Sequence, residues 1–299
     1  MIDKVVIAAY KHDFWLAEIC MASVRYYYPQ IPIAIVFDFS KGAADFSFAK
    51  ERYQIEIIDL PIKKFGWGLS KIEYLFLQKK ERVLVLDADT VFTGYVLDYL
   101  QSYTQDFVVS ADPHTQPYAQ WMNECYFNYT LLQLQDADFS FPGYSFNTGQ
   151  FIATTGLLTR AHFEDVIIWK EYPEIKRPDI FACVDQGILN YVLPKQEAAV
   201  RISIGKADFL IGIRYPVVAK ITLADLQREG AGYPSVLHWA GSNTKSLRLM
   251  LRSDILRFYR NIGRSKSAIL LLELQDIKRY VQFQQQKVIK KIKRLFRGQ

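Results

Sequence analysis

Short apolar runs alternate with helical patterns along the first 110 residues of the chain. The run at residues 83–86, Val-Leu-Val-Leu, has no polar position, which is typical of a strand buried on both faces. Strands that alternate with helices predict a parallel α/β sheet. Strands are expected at residues 5–9, 33–37, 55–60 and 83–86, and helices at about 14–28, ended by Pro29, and at 70–78, with Ser70 as a candidate N-cap.

The pattern is more mixed from residue 111 to residue 250. It predicts strands at residues 151–153 and 235–238 and helices at residues 161–172 and 185–192. A long amphipathic helix is expected at residues 265–296, where apolar side chains recur every three or four positions. These patterns divide the chain into a domain at residues 1–250 and a basic helical segment at residues 251–299.

Positive charge is concentrated at the end of the chain. Of 299 residues, 37 are Lys or Arg and 31 are Asp or Glu, a net charge of +6. Residues 264–299 hold ten of the bases and two of the acids, which leaves 27 bases and 29 acids elsewhere. The excess charge therefore belongs to the tail and not to the domain. The high apolar content excludes wholesale disorder.

The cysteines and the N-terminus indicate the expected compartment. Cys20, Cys125 and Cys183 are far apart and form neither a zinc-binding pair nor a disulfide framework, so a reduced, cytosolic location is expected. The first residues lack the charged and apolar regions of a signal peptide. No apolar run approaches the roughly 18 residues of a spanning helix.

The most informative motif is the pair of carboxylates Asp87 and Asp89, which follows directly on the apolar run. Ligands of open α/β sheets bind beyond the carboxyl ends of the strands. A turn at Ala88 would bring the two side chains together, and such an oxygen-rich site suits Mg²⁺ or Mn²⁺. The alternative is a strand-ending turn with two solvated acids.

Three further motifs hold candidate residues, each with a structural alternative. His238 closes a short strand and can ligate a metal, but a lone histidine is more often a core or surface residue. Asn147 has the donor and acceptor needed for a sugar hydroxyl, or it is a turn residue. Asp185 and Gln186 open a predicted helix, where Asp185 alternatively serves as the N-cap.

Taken in order, the Asp-x-Asp, Asn-x-Gly, Asp-Gln and His-x-x-Gly motifs resemble one family. It is the GT-A glycosyltransferases of the glycogenin and lipopolysaccharide galactosyltransferase type, family 8 of the glycosyltransferases. The resemblance covers residues 1–250 and includes the helix at residues 69–75. It implies a Rossmann-like nucleotide-diphospho-sugar transferase fold with a mixed, mainly parallel central sheet, followed here by a helical tail.

The resemblance also implies roles for individual residues. The cation, Mn²⁺ or Mg²⁺, would be held by Asp87, Asp89 and His238. The UDP-sugar donor would be bound by Ala8, Tyr10, Lys71, Asp87, Ala88, Asp89, Gly241 and Lys245. Of these, Ala8 and Tyr10 would line the base pocket, Lys71 would lie near the nucleotide or sugar, and Gly241 and Lys245 would meet the diphosphate. The transferred sugar would be met by Asp112, Asn147 and Asp185, with Gln186 near its anomeric carbon. Family members retain the anomeric configuration, and a front-face displacement is the mechanism expected.

The expected function is transfer of a hexose from a UDP-sugar to a glycan or lipid-linked acceptor in polysaccharide biosynthesis. Two alternatives remain open: a nucleotidyltransferase on a related sheet, and a non-catalytic sugar-nucleotide-binding protein. The first would need a glycine-rich basic loop after the first strand, and residues 8–13 contain no glycine.

The basic tail has two interpretations. Its apolar stripe and lysine-rich face at residues 265–297 favour an amphipathic helix on an anionic membrane surface, which would make the protein peripheral on the inner membrane face. Leu274, Val281, Val288 and Leu295 are seven residues apart, which also fits a coiled-coil homodimer or packing on the domain. Nucleic-acid binding is not expected, because few aromatic residues interrupt the basic positions.

Overall fold

The computed structural model describes residues 1–66, 68–113, 116–181, 183–227, 233–242 and 245–297, and of residues 113 and 290–297 it describes the backbone alone. The strands are β1 (Lys4–Tyr10), β2 (Ile33–Asp38), β3 (Ile55–Ile57), β4 (Arg82–Asp87), β5 (Thr90–Phe92), β6 (Phe107–Pro113), β7 (Tyr144–Thr154), β8 (Ile167–Ile168), β9 (Glu174–Ile175), β10 (Ile204–Lys206), β11 (Leu210–Gly212) and β12 (Val236–His238). The helices are α1 (Phe14–Tyr27), α2 (Ser47–Tyr53), α3 (Leu69–Tyr74), α4 (Val96–Leu100), α5 (Gln120–Cys125), α6 (Tyr129–Gln135), α7 (Val184–Ala198), α8 (Leu223–Gln227), α9 (Ser253–Asn261) and α10 (Lys266–Arg297).

Seven strands form the central sheet in the order β10-β6-β7-β4-β1-β2-β3. Every neighbouring pair is parallel except the two pairs made by β7, which runs antiparallel to β4 and to β6. The prediction of a mixed, mainly parallel sheet is therefore confirmed. The predicted strands at residues 5–9, 33–37, 83–86 and 151–153 all lie in this sheet.

The central strands are buried on both faces, as the unbroken apolar runs predicted. Along β4, Leu84 and Leu86 belong to the core on one side of the sheet, while Val83 and Val85 belong to the core on the other side. This arrangement follows from the alternation of side chains in a strand between two helical layers.

A second sheet of three strands, in the order β11-β12-β5, carries part of the functional region. The strand β12 runs antiparallel to β5, so that His238 lies opposite Thr90. Since Thr90 directly follows Asp89, this pairing brings the predicted histidine to the predicted carboxylates.

Four local expectations were wrong. Ser70 is not an N-cap: it lies inside α3, whose N-cap is Gly68 at φ +79°. Residues 161–172 are not a helix, because a single turn at Arg160–Phe163 is followed by the β-branched run that forms β8. The strand expected at 55–60 ends at Ile57, and the helix expected at 70–78 ends at Tyr74.

The long tail helix predicted at residues 265–296 is confirmed as α10, and its polar side holds it to the domain. The carboxylate of Asp276 is fully buried and accepts hydrogen bonds from Ser246 Oγ at 3.0 Å and from the Leu247 backbone N at 2.8 Å. Glu273 forms ion pairs with Arg257 and Arg260 of α9. The preceding α9 packs against α1, and the domain boundary near residue 250 stays a prediction.

The apolar stripe of α10 points away from this contact. Its large side chains keep 39–61% of their surface exposed at Leu270, Leu274, Ile277, Val281 and Val288. Positions three, four and seven apart share one face of a helix, and here that face is opposite to Asp276. The stripe is therefore not packed on the described part of the domain. No described helix combines the length and the apolar character needed to cross a bilayer.

Candidate active site

The two carboxylates of the Asp-x-Asp motif occupy a tight turn between β4 and β5. Asp87 is the last residue of β4, and the hydroxyl of Thr90 donates to its backbone carbonyl at 2.8 Å. Ala88 between the two acids is buried, and the backbone carbonyl of Asp89 accepts from Trp239 N at 3.1 Å. The turn is thus fixed from both sides, at the carboxyl edge of the parallel strands.

His238 completes a cluster of three ligand atoms with these carboxylates. Its Nε2 lies 3.2 Å from Asp89 Oδ1 and 3.9 Å from Asp87 Oδ2, and the three ligand atoms lie within 4.8 Å of one another. A Cβ at Gly149 would come within 2.1 Å of the His238 ring, so only glycine permits this approach. Two carboxylates and an imidazole fit Mn²⁺ or Mg²⁺ in chemistry and in spacing.

The charges of this trio are strongly coupled. Burial raises the pKa of Asp87 above its usual value despite the nearby Lys71 and His238. Burial also acts to raise the pKa of Asp89, but the positive charge and hydrogen bond of His238 outweigh it and lower the pKa. For His238, burial opposes the charged form, and the Asp89 carboxylate raises the pKa overall. Each of these groups therefore depends on the charges of its neighbours.

A buried lysine links the trio to the predicted sugar-binding residues. Lys71 is 2% exposed, and its Nζ lies 2.7 Å from Asp87 Oδ1 and 2.7 Å from Asp185 Oδ2. Burial opposes its charge, but the two carboxylates raise its pKa above the usual value. Gly68 makes room for this bridge, because a Cβ there would lie 2.3 Å from Asp185 Oδ1.

Asn147 and Gln186 are held against each other across the end of the sheet. Gln186 Oε1 accepts from Asn147 Nδ2 at 2.9 Å, and Gln186 Nε2 donates to the Cys125 carbonyl at 2.7 Å. Asn147 Oδ1 in turn accepts from Gly149 N at 2.8 Å. Both amide orientations are therefore set by hydrogen bonds, which presents fixed polar groups on the same edge as the trio.

Asp185 does not cap its helix. The N-cap of α7 is Cys183, and Asp185 lies in the first turn, where its carboxylate accepts from Thr148 Oγ1 at 2.8 Å and pairs with Lys71. Thr148 was not among the predicted residues. Its position between Asn147 and Gly149 was the one feature of the sequence that could have indicated a role, but a threonine in a strand has no chemistry that marks it as functional.

The end of β1 supplies the other predicted donor residues. Ala8 lies opposite Asp87 in the register of β1 and β4, and Tyr10 ends the strand. Asp13, which the sequence did not single out, accepts from Tyr10 N at 2.8 Å. Burial, and to a smaller extent the negative charges of Asp89 and Asp87, raise the pKa of Asp13 to about 8. This carboxyl group is therefore part of the same electrostatic cluster.

Three predicted residues are exposed to solvent. Asp112 is exposed and faces Ser145 across β6 and β7, and its charge acts on the hydroxyls of Tyr126 and Tyr215. Gly241 is exposed at φ +65°, and a Cβ there would meet nothing within 4 Å. Lys245 is also exposed. Its neighbours at positions 243 and 244 lie outside the described residues.

The chain is similar to known proteins in its three-dimensional structure but not in its sequence. No protein-family model matches the chain, and no curated protein matches it by sequence. By structure, the chain is similar to the apo form of WbbM, a bifunctional glycosyltransferase, with a TM-score of 0.58 and 13% identity. The alignment covers 93% of this chain and 51% of WbbM. The chain has the GT-A glycosyltransferase fold.

Two further glycosyltransferases share this fold. An active-site variant of LgtC superposes with a TM-score of 0.54 and 14% identity, covering 88% of this chain and 98% of LgtC. GlyE of Streptococcus pneumoniae TIGR4 superposes with a TM-score of 0.50 and 14% identity, and the alignment covers 89% of this chain and 62% of GlyE. The predicted resemblance to the family 8 glycosyltransferases is confirmed at the level of the fold. The chain spans about half the length of WbbM.

Proposed function

We propose that the protein is a metal-dependent, retaining glycosyltransferase that moves a hexose from a UDP-sugar. The observation that carries the proposal is the trio of Asp87, Asp89 and His238 at the carboxyl edge of the sheet. Its ligand types suit Mn²⁺ or Mg²⁺, and the buried Lys71 lies directly beside it. The GT-A fold shared with WbbM and LgtC, both glycosyltransferases, supports the same reaction class.

The chemistry assigns separate tasks to the trio and to the lysine. When bound, the cation supplies positive charge that stabilises the negative charge developing on the leaving diphosphate. Lys71 holds Asp87 and Asp185 at fixed positions, so that the carboxylates do not have to reorganise when the donor binds. Ala8 and Tyr10 would border the nucleotide base, and Gly241 and Lys245 would meet the phosphates.

The amide network fits a front-face displacement, in which the acceptor attacks beside the departing diphosphate. Gln186 is a poor nucleophile, and the carboxylate of Asp185 already pairs with Lys71 and Thr148. Asn147 and Gln186 would then orient the sugar through hydrogen bonds. A kinetically competent glycosyl ester trapped on Asp185 would contradict this mechanism.

A binding experiment separates a working donor site from a decayed one. UDP and Mn²⁺ together should raise the melting temperature, by the equivalent of about 2.7 kcal/mol at a hundredfold excess over Kd. UDP with EDTA should have much less effect, because the diphosphate then faces Asp87 and Asp89 without a bridging cation. Equal stabilisation in both conditions would count against the metal site.

The acceptor is proposed to be a glycan or a lipid-linked saccharide at the cytoplasmic face of a membrane. The support comes from α10, whose apolar stripe points away from the domain and whose exposed face carries Lys278 and Lys287. Apolar burial and positive charge together bind anionic bilayer surfaces. Pairing of two stripes in a homodimer is the competing arrangement.

Vesicle flotation tests the role of the stripe. Replacing Leu274 and Val281 together by serine should reduce binding to phosphatidylglycerol vesicles at least tenfold, since each buried side chain contributes roughly 1.5–3 kcal/mol. Leu134→Ser is the matched control, because Leu134 is 81% exposed on α6, away from the tail. The stripe is instead a dimer interface if two results are found together: the double variant binds vesicles as well as the control, and it is a monomer where the wild type is a dimer.

A further inference from the structure

A small pocket lies beneath the tail helix, away from the trio of metal-ligand side chains. It is formed between α1 and α10 and has a volume of about 40 Å³. Three arginines line it: Arg260 from α9, Arg264 from the turn after it, and Arg279 from α10. These three side chains are called the arginine pocket below.

Two of the three guanidinium groups have a buried nitrogen that makes no hydrogen bond within the described part of the chain. Arg260 is 5% exposed; it pairs with Glu273 through Nη2, but its buried Nη1 has no partner among the described residues. Arg279 stacks over the Trp15 ring at 4.3 Å, and its buried Nε also lacks a described partner. An unpaired donor in a buried position costs free energy unless a ligand or water accepts from it.

The carboxylates nearest to the pocket already have several partners each. Glu273 is shared between Arg257 and Arg260, and Asp276 accepts from Ser246 and Leu247 and forms a long ion pair of 3.9 Å with Arg279. Burial lowers the pKa of Arg279; the Asp276 carboxylate acts to raise it, and the charge of Arg260 acts to lower it. Neither acid accepts a hydrogen bond from Arg260 Nη1 or Arg279 Nε, so these two donors are available to an anion.

One acid, Glu18 of α1, faces the pocket. Burial raises its pKa to about 7, although Arg264 and Arg279 act to lower it. Asp45 adds a smaller negative charge, and Tyr53 of α2 lines the same pocket. Near neutral pH the Glu18 carboxyl is therefore partly neutral, and a protonated carboxyl can donate a hydrogen bond to an anion.

We propose that the arginine pocket binds a phosphate group. Planar guanidinium groups match tetrahedral oxyanions through paired N–H donors, and Arg260 and Arg279 present unpartnered donors at the pocket. The phosphate is supplied either by a lipid headgroup or by a free phosphate or phosphate monoester. The proposal does not depend on the donor site, which lies at the carboxyl edge of the central sheet.

Sulfate is the probe for the first experiment, because its charge is constant across the pH range used. Binding to the full chain is followed by melting temperature against chloride of equal ionic strength. Arg264→Gln and Arg279→Gln should each weaken sulfate binding roughly tenfold. Lys278→Gln is the matched control: it removes the same charge one residue from Arg279, but on the exposed face, and should bind like the wild type.

A gain-of-binding variant guards against misfolding as the explanation. Glu18→Gln should bind sulfate more tightly than the wild type at pH 8, where Glu18 is ionised, and equally at pH 6, where it is protonated. The sign follows because the ionised carboxylate repels the anion. A damaged protein would not bind better, so this result cannot come from loss of structure.

Vesicles distinguish the two sources of phosphate. If dioleoyl phosphatidic acid vesicles bind the wild type more tightly than Arg279→Gln, while inorganic phosphate does not discriminate between them, the ligand is a lipid headgroup. If inorganic phosphate alone discriminates, the ligand is a free phosphate. The proposal is overturned if sulfate and phosphate stabilise the wild type, the arginine variants and Lys278→Gln equally, since the arginines then serve only to hold α10. UDP binding in the presence of Mn²⁺ should be unchanged in every variant. If the wild type does not bind UDP, that result counts against the proposed donor site and not against the arginine pocket.

Discussion

Replacing Lys71 with methionine is expected to lower the free energy of unfolding by about 3–5 kcal/mol. The side chain is buried between Asp87 and Asp185, at 2.7 Å from each carboxylate. Methionine fills a similar volume but leaves two close carboxylates without their shared cation. Urea denaturation in EDTA measures the loss, because a bound metal would offset part of the stranded charge.

Lys170→Met is the matched control for this variant. Its ion pair with Glu174 has a similar length, 2.6 Å, but both side chains are about half exposed, so a loss below about 1 kcal/mol is expected. Adding Asp185→Asn to Lys71→Met should restore part of the stability, since one stranded charge is removed. A loss as small as that of the control would show that Lys71 is not the electrostatic centre of the site.

Replacing Asp89 with asparagine is expected to lower metal-dependent turnover about a thousandfold or more. The change keeps the shape of the side chain but removes one of the two carboxylates that would hold the cation, and the metal is worth several kcal/mol of transition-state stabilisation. UDP release under saturating Mn²⁺ measures the effect.

Asp98→Asn provides the comparison, because Asp98 is an exposed aspartate on α4. It should keep full turnover. The Asp89 variant should also keep its cooperative unfolding, so that the loss of turnover is a loss of chemistry and not of fold. Turnover within tenfold of the wild type in Asp89→Asn would remove Asp89 from the metal site.

The sequence predicted those parts of the molecule that local pattern and chemistry determine. The apolar run before Asp87 indicated a strand buried on two faces, and a carboxylate pair at its end indicated a cation site. His238 was a weaker candidate, because a lone histidine is more often a core or surface residue, and the structure places it 3.2 Å from Asp89. The order of the four motifs along the chain indicated the glycosyltransferase family, which no single motif could do, since each motif alone had a structural alternative.

The rest depends on contacts between residues far apart in the chain. Thr148 is a bonding partner of Asp185 only because α7 crosses the end of β7, which no local pattern indicates. The sequence did not single out Gly68, and it marked Gly149 only as part of the Asn-x-Gly motif, because the atoms that these glycines make room for belong to distant segments. The periodicity of the tail predicted its stripe, but not that the stripe faces outward, because this orientation depends on the buried Asp276.

The most direct test of the account is UDP release by the wild-type protein from a panel of UDP-sugars, in Mn²⁺ and in EDTA. One donor should be turned over in Mn²⁺, and EDTA should abolish the release; the identity of that donor is the identity of the transferred sugar. Release that persists in EDTA would contradict the metal-dependent mechanism. No release from any donor, together with no Mn²⁺-dependent binding of UDP, would leave the GT-A fold in place and contradict the proposed function.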